Sequence, residues 1–206
     1  MQLIELGGPV VVALLLLSVA GLTVFLFKSV QYLGYSRGRF RRAEGLVNAW
    51  IAGAAPPQAP RTGANPYLRL LVAGMDWLDR GVDPGQVRDE LTRQGQMVLA
   101  RVNSLNGFVE LVAYLAPLGG LLGTVLGMID VFQGLADSAA SGSQTGALAG
   151  GIWEALLTTV VGLCVAIPFT LMHALLEGRA NRIRIRMEDQ LSRLFTADLY
   201  RAGDAV

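Results

Sequence analysis

Three stretches of the chain carry no formal charge and are long enough to cross a bilayer. Leu6 to Phe27 and Ala155 to Leu176 are 22 residues each, and Leu111 to Ile129 is 19. As helices, runs of this length cover roughly 30 Å, the thickness of a hydrocarbon core. Between and after them the pattern changes to amphipathic. Phe40, Ala43, Leu46, Val47 and Trp50 recur at helical spacing, as do Leu68, Leu71, Val72, Met75 and Leu78. A third stripe runs through Val87, Leu91, Met97, Val98, Val102 and Leu105, and a fourth through Ile183, Met187, Leu191, Leu194 and Phe195.

Breakers and caps divide these segments. Pro56, Pro57 and Pro60 interrupt the first amphipathic helix, and Asn65-Pro66 opens the second. Gly81 ends it, and Asp83-Pro84 with Gln86 reads as a capping box for the third. Nothing breaks that third helix before Pro117, so one long rod running into the second span is predicted.

The fold class expected is an all-α integral membrane protein with three transmembrane helices. Residues 1–35 hold a short outer lead and span one, and 36–107 a helical region off the membrane. Span two takes 108–133, a polar loop 134–149, span three 150–176, and a C-terminal helix 177–206.

Composition agrees: 52% of the 206 residues are apolar, 16% are charged, and 25 are glycine. Charge placement adds orientation. None of the 17 Lys and Arg residues lies between Val102 and Gly178. All fall after span one or after span three, which places both segments, and the C-terminus, in the cytoplasm and the N-terminus outside. The basic residues nearest span one follow it (Lys28, Arg37, Arg39), unlike a cleaved signal peptide, so an uncleaved span is expected. Lys28 is expected to snorkel, Tyr32 and Tyr35 to suit an interfacial layer, and Arg41 and Arg42 to meet membrane lipid. The net charge of +1 shows no nucleic-acid footprint.

The candidate chemistry lies in spans two and three. Glu154 heads an apolar span, where a carboxylate facing lipid would cost several kcal/mol and should face protein, a pore or the interface. At 100° per residue, Thr158 shares its face and Thr159 lies about 140° away. Thr124 brings a hydroxyl to mid-span, and it could equally bond back to the carbonyl of Gly120. Gly119, Gly123 and Gly127 form a ladder for close helix packing, Gly162 lies on a small-residue surface, and Pro168 marks a bend. Cys164 is a lone thiol read as a packing residue, and the lone His173 cannot make a metal site, so no metal or cofactor is expected. No nucleophile triad or nucleotide loop is present, which argues against an enzyme.

The strings Leu121-Leu-Gly-Thr-Val-Leu-Gly-Met128 and Glu154-Ala-Leu-Leu-Thr-Thr-Val-Val-Gly-Leu-Cys-Val-Ala-Ile-Pro168, with the order of the spans, resemble the MotA/TolQ/ExbB proton-channel family, in its ExbB and TolQ branch. The resemblance covers residues 5 to about 200. It implies the channel subunit of an inner-membrane motor, a pentamer around a dimer of single-span ExbD/TolR-like partners, working with a TonB-like or TolA-like transducer. By the same resemblance Thr124, Glu154 and Thr159 belong to the proton pathway, with Thr158 a secondary candidate. Energising TonB-dependent transport is the first use implied; Tol-Pal maintenance and a structural scaffold are the alternatives. The chain departs from the family pattern after Pro168, where Phe169, His173 and Ala174 stand.

Overall fold

A computed structural model describes residues 8–33, 37–55, 66–138 and 145–203. Among these every secondary-structure element is a helix: α1 (Gly8–Leu33), α2 (Arg37–Ile51), α3 (Pro66–Asp79), α4 (Pro84–Asn103), α5 (Asn106–Ser138) and α6 (Thr145–Gly203). Helices α1, α5 and α6 are each long and apolar enough to span a membrane, so the three expected spans are present. The outer lead at 1–7, Tyr35, the prolines at 56, 57 and 60, and Asn65 lie outside the described residues.

The chain divides into two compact units. One holds the spans, through Lys28 and from Leu105 to Leu176; the other holds Ser29–Ser104 and the chain from Glu177.

The span unit is built on glycine. A Cβ on Gly162 would stand 2.6 Å from the Ala116 carbonyl oxygen and 3.0 Å from Gly120 Cα. Gly120 faces Thr159 and Gly162, Gly123 faces Thr158, Gly127 faces Ala155, and Gly151 faces Val131. The numbers rise along one helix as they fall along the other, so α5 and α6 are antiparallel, with backbones in direct contact at Gly120 and Gly162. The expected ladder is split: Gly119 turns away from α6 and meets Leu14 of α1, while Gly120 joins Gly123 and Gly127 on the α6 side. Gly21 of α1 fits against the Phe169 ring, and a Cβ there would also meet Val112 at 3.1 Å. With Leu14 beside Gly119, this sets α1 antiparallel to α5 and parallel to α6. Less than a third of each apolar span window is buried, and large apolar side chains such as Leu16, Phe27, Leu121, Phe132, Leu156 and Ile167 face outward. Such a surface needs lipid or neighbouring helices.

The second unit packs α2, α3, α4 and the far part of α6 around Trp50, Tyr67, Leu71, Met75, Val87, Leu91, Met187 and Leu194, all essentially fully buried. Gly74 allows the approach: a Cβ there would meet Leu91 at 2.5 Å and Leu194 at 3.0 Å. The amphipathic stripes are recovered with shifts. In α3 the buried face adds Tyr67, Leu70 and Gly74. In α4 it runs through Val87, Leu91, Gly95 and Val102, which leaves Met97 47% exposed. Asp83 caps α4 by accepting from the Gln86 backbone N–H at 3.0 Å, and Gly81 at φ +74° closes α3.

Three expectations are corrected. The long rod is broken: α4 ends at Asn103, and Leu105 has φ 67° before α5 begins at Asn106. The break needs no Gly or Pro, because the Ser104 hydroxyl turns back to donate to the Arg101 carbonyl at 2.8 Å. The polar loop is shorter than 134–149, since α5 continues through Leu135 and Ala136 to Ser138 and α6 starts at Thr145. Lys28 does not snorkel but is fully buried. Tyr32 is buried as well, and its hydroxyl donates to the Val102 carbonyl at 3.1 Å.

Leu105 holds a left-handed conformation that costs a branched residue roughly 1–2 kcal/mol, and its side chain is half exposed. Leu105→Gly should therefore raise stability by about 1 kcal/mol, read as a higher thermal midpoint in detergent; an unchanged or lower midpoint would show the turn is unstrained.

Burial pushes the Tyr67 phenol above its ordinary range, and the charges of Asp189 and Glu44 push the same way. A raised folded pKa leaves its stability contribution complete below the unfolded value of about 10 and removes it as pH rises beyond. Thermal stability should fall above about pH 10, with a slope of up to ~1.4 kcal/mol per pH unit from this group. Tyr67→Phe should flatten that limb when melting is followed between neutral and strongly alkaline pH.

Candidate functional site

Three threonine hydroxyls from spans two and three converge on one atom, the carbonyl oxygen of Gly120. Because Gly120 and Gly162 lack side chains, α6 comes close enough for its threonines to reach the α5 backbone. Thr124, one turn along α5, donates to that oxygen at 3.1 Å. From α6, Thr159 reaches it at 3.1 Å and Thr158 at 3.2 Å. The Thr124 and Thr159 hydroxyl oxygens are 2.7 Å apart, and either can donate to the other. Thr124 and Thr159 are half-buried, whereas Thr158 is buried beneath Gly123. The Thr158 hydroxyl also lies 2.7 Å from the carbonyl of Ala155.

These contacts distribute the candidate residues. Thr124 and Thr159 form a partly exposed hydrogen-bonded pair bridging two spans. The expected bond from Thr124 back to Gly120 exists, and the pairing exists with it. Thr158 and Glu154 share one side of an ideal wheel, yet the structure buries Thr158 and exposes Glu154. The Glu154 carboxylate stands beside the start of α1, with Oε1 3.5 Å from where a Cβ on Gly8 would be. A helix N-terminus favours a carboxylate by roughly 0.3–1 kcal/mol. The glutamate is one and a half turns before Thr159 along α6, about 8 Å of rise, and is not bonded to the threonines.

Of the packing residues, Gly123, Gly127 and Gly162 line the α5–α6 contact, and Gly119 the α1 contact. Pro168 lies inside α6, which continues through it, on an exposed face. Cys164 is exposed rather than packed within the chain, and no cluster suited to a metal occurs among the described residues. The sequence reading missed the Gly120 carbonyl as the shared acceptor. Its signal was present in the adjacent pair Gly119-Gly120, since two neighbouring glycines can face two different helices.

The profile of the MotA/TolQ/ExbB proton channel family matches residues 63–189, which include α4, α5 and all three threonines. The chain belongs to this family. It is 41% identical over 91 residues to biopolymer transport protein exbB1 of Vibrio cholerae, covering 44% of this chain and 39% of that protein. Over 127 residues it is 33% identical to the Tol-Pal system protein TolQ of Pseudomonas aeruginosa, 59% of this chain and 51% of the relative. A longer match, 26% over 190 residues, links it to biopolymer transport protein ExbB of Salmonella typhimurium, 87% of this chain and 76% of that protein. The chain thus spans about half or less of the first two of these relatives. Three membrane-capable helices and the family together make it a multi-pass inner-membrane protein, and the family is one of channels, not of enzymes.

Proposed function

We propose that the chain is the proton-channel subunit of an inner-membrane motor, converting proton-motive force into mechanical work. The observation that carries this reading is the Thr124–Thr159 pair. Two hydroxyls 2.7 Å apart, half-exposed in otherwise apolar spans, are groups a proton relay can use and a passive wall does not need. The N-terminus lies outside; the C-terminus, α2 to α4 and the far part of α6 lie in the cytoplasm, a reading supported by the absence of Lys and Arg between Val102 and Gly178.

Five copies surround a dimer of an ExbD/TolR-like single-span protein, whose membrane carboxyl group carries the proton past Thr124 and Thr159. The outward-facing apolar residues of α5 and α6 supply the contacts between copies and the lining. Glu154, exposed at the head of α6, tunes hydration at the entrance or takes the proton in passing. A TonB-like transducer receives the motion, which energises outer-membrane transport; the long match to a biopolymer transport ExbB favours this use. A TolQ-like role with a TolA-like transducer is the second reading, on the match to TolQ.

The test is the intact mass of the complex drawn from its native membrane, followed by proton flux in liposomes. Five copies with two single-span partners, and a flux lost in Glu154→Gln, Thr124→Ala, Thr159→Ala together, are expected. A homo-oligomer with no such partner, or a flux indifferent to the triple substitution, overturns the reading.

A further inference from the structure

The hydroxyl protons at Gly120 can be counted. Thr124 and Thr159 have one each, and the closed arrangement uses both. One proton lies between the two oxygens and the other goes to the Gly120 carbonyl. Which threonine does which is interchangeable, because both are 3.1 Å from that carbonyl. In either form the pair presents only lone pairs to its surroundings. Lone pairs accept from a protonated carboxylic acid or from water, but offer nothing to an ionised carboxylate. To meet a carboxylate, one hydroxyl must turn its proton outward; the one proton left in the pair can then stay between the two oxygens or serve the Gly120 carbonyl, but not both, and where it stays between the oxygens that carbonyl loses its donor from the pair.

Thr158 stands where that loss can be made good. It is 96% buried against Gly123, so it cannot line a lumen. Its hydroxyl sits between two acceptors, 2.7 Å from the Ala155 carbonyl and 3.2 Å from that of Gly120. Rotation about the Cβ–Oγ bond carries the proton from one acceptor to the other. The Ala155 carbonyl keeps its ordinary helical partner, the N–H of Thr159, when the hydroxyl leaves. We propose that Thr158 is a positioning residue for the threonine pair, supplying the Gly120 carbonyl with a donor whenever Thr124 or Thr159 turns outward to a carboxylate. The pair then alternates between an accepting form, suited to a protonated carboxyl group, and a donating form, suited to its anion. Thr158 narrows the energy gap between them. This rests on the channel reading above.

Thr158 variants separate this role from packing. Thr158→Val keeps the shape and removes the hydroxyl; Thr158→Ser keeps the hydroxyl and removes a methyl. In liposomes holding the complex with its single-span partner, Thr158→Val should lower proton flux about fivefold, the factor one net hydrogen bond carries. Thr158→Ser should stay within about twofold of the parent. If Thr158→Val does not assemble, Thr158→Ser against Thr158→Ala reads the same hydroxyl, again with about a fivefold difference expected. Serine falling as far as valine, or valine matching the parent while Thr124→Val and Thr159→Val reduce flux, would reduce Thr158 to packing. Flux untouched by Thr124→Val and Thr159→Val would instead remove the channel reading itself, and this proposal with it.

Discussion

Gly162→Leu should prevent spans two and three from packing, and the protein should not be recovered folded. A single added carbon would stand 2.6 Å from the Ala116 carbonyl oxygen and 3.0 Å from Gly120 Cα. Both are backbone atoms of a continuous helix, so no rotamer change relieves the clash. Overpacking normally costs about 1–3 kcal/mol because side chains give way. Here the whole α5–α6 contact must open, and it contains the hydrogen bonds of Thr124, Thr158 and Thr159 as well as the packing at Gly123 and Gly127. Even Gly162→Ala should lower the thermal midpoint of the purified protein, by the equivalent of about 2 kcal/mol. A suitable control is Gly178→Ala, in the same helix, where nothing lies within 4 Å of the added carbon. That change should stabilise by up to about 1 kcal/mol, because alanine is the better helix former. Equal midpoints for the two alanine variants would mean that α5 and α6 do not approach as closely as described.

What could be read in the sequence follows from what a pattern encodes. An uncharged run of 22 residues has one inexpensive solution in a bilayer, so the three spans were legible from hydropathy alone. Caps depend on the few residues that form them, and Asp83 with Gln86 was therefore readable. The break at Ser104-Leu105 was not, since a serine turned back on its own helix leaves no breaker in the sequence. Helix faces were read to within one position. In α4 Met97 and Leu105 were placed inside: Leu105 lies past the end of the helix, and at Met97 the buried face passes instead through Gly95, a residue with no apolar side chain to mark it. The site was half legible. Thr124 and Thr159 stood out by type and by family likeness. Their meeting over Gly120, and the burial of Thr158 away from Glu154, depend on how closely two helices approach. That distance is set by glycines on both chains of contacts, and no wheel drawn for one helix contains it.

Thr124→Val and Thr159→Val should each lower proton flux by about tenfold or more, and the double variant should be little worse than either single one. Each substitution keeps the side-chain volume and removes one hydroxyl, leaving the other bonded to the Gly120 carbonyl but without its partner on the facing helix, a net hydrogen bond worth roughly 0.5–1.5 kcal/mol. If the pair relays the proton as proposed, losing one hydroxyl cuts the relay, and removing the second has nothing further to cut. Folding stability should behave similarly. Valine at both positions replaces a hydrogen-bonded pair by two apolar side chains of the same shape, so the second substitution costs less than the first. A double-mutant cycle on both quantities, flux in liposomes and thermal midpoint in detergent, measures the coupling directly. Strong coupling in both would mark Thr124 and Thr159 as a single functional group shared by two helices. Coupling in stability with independent effects on flux would leave the hydrogen bond in place but assign the proton's passage to water or to Glu154, with the threonines only framing the path.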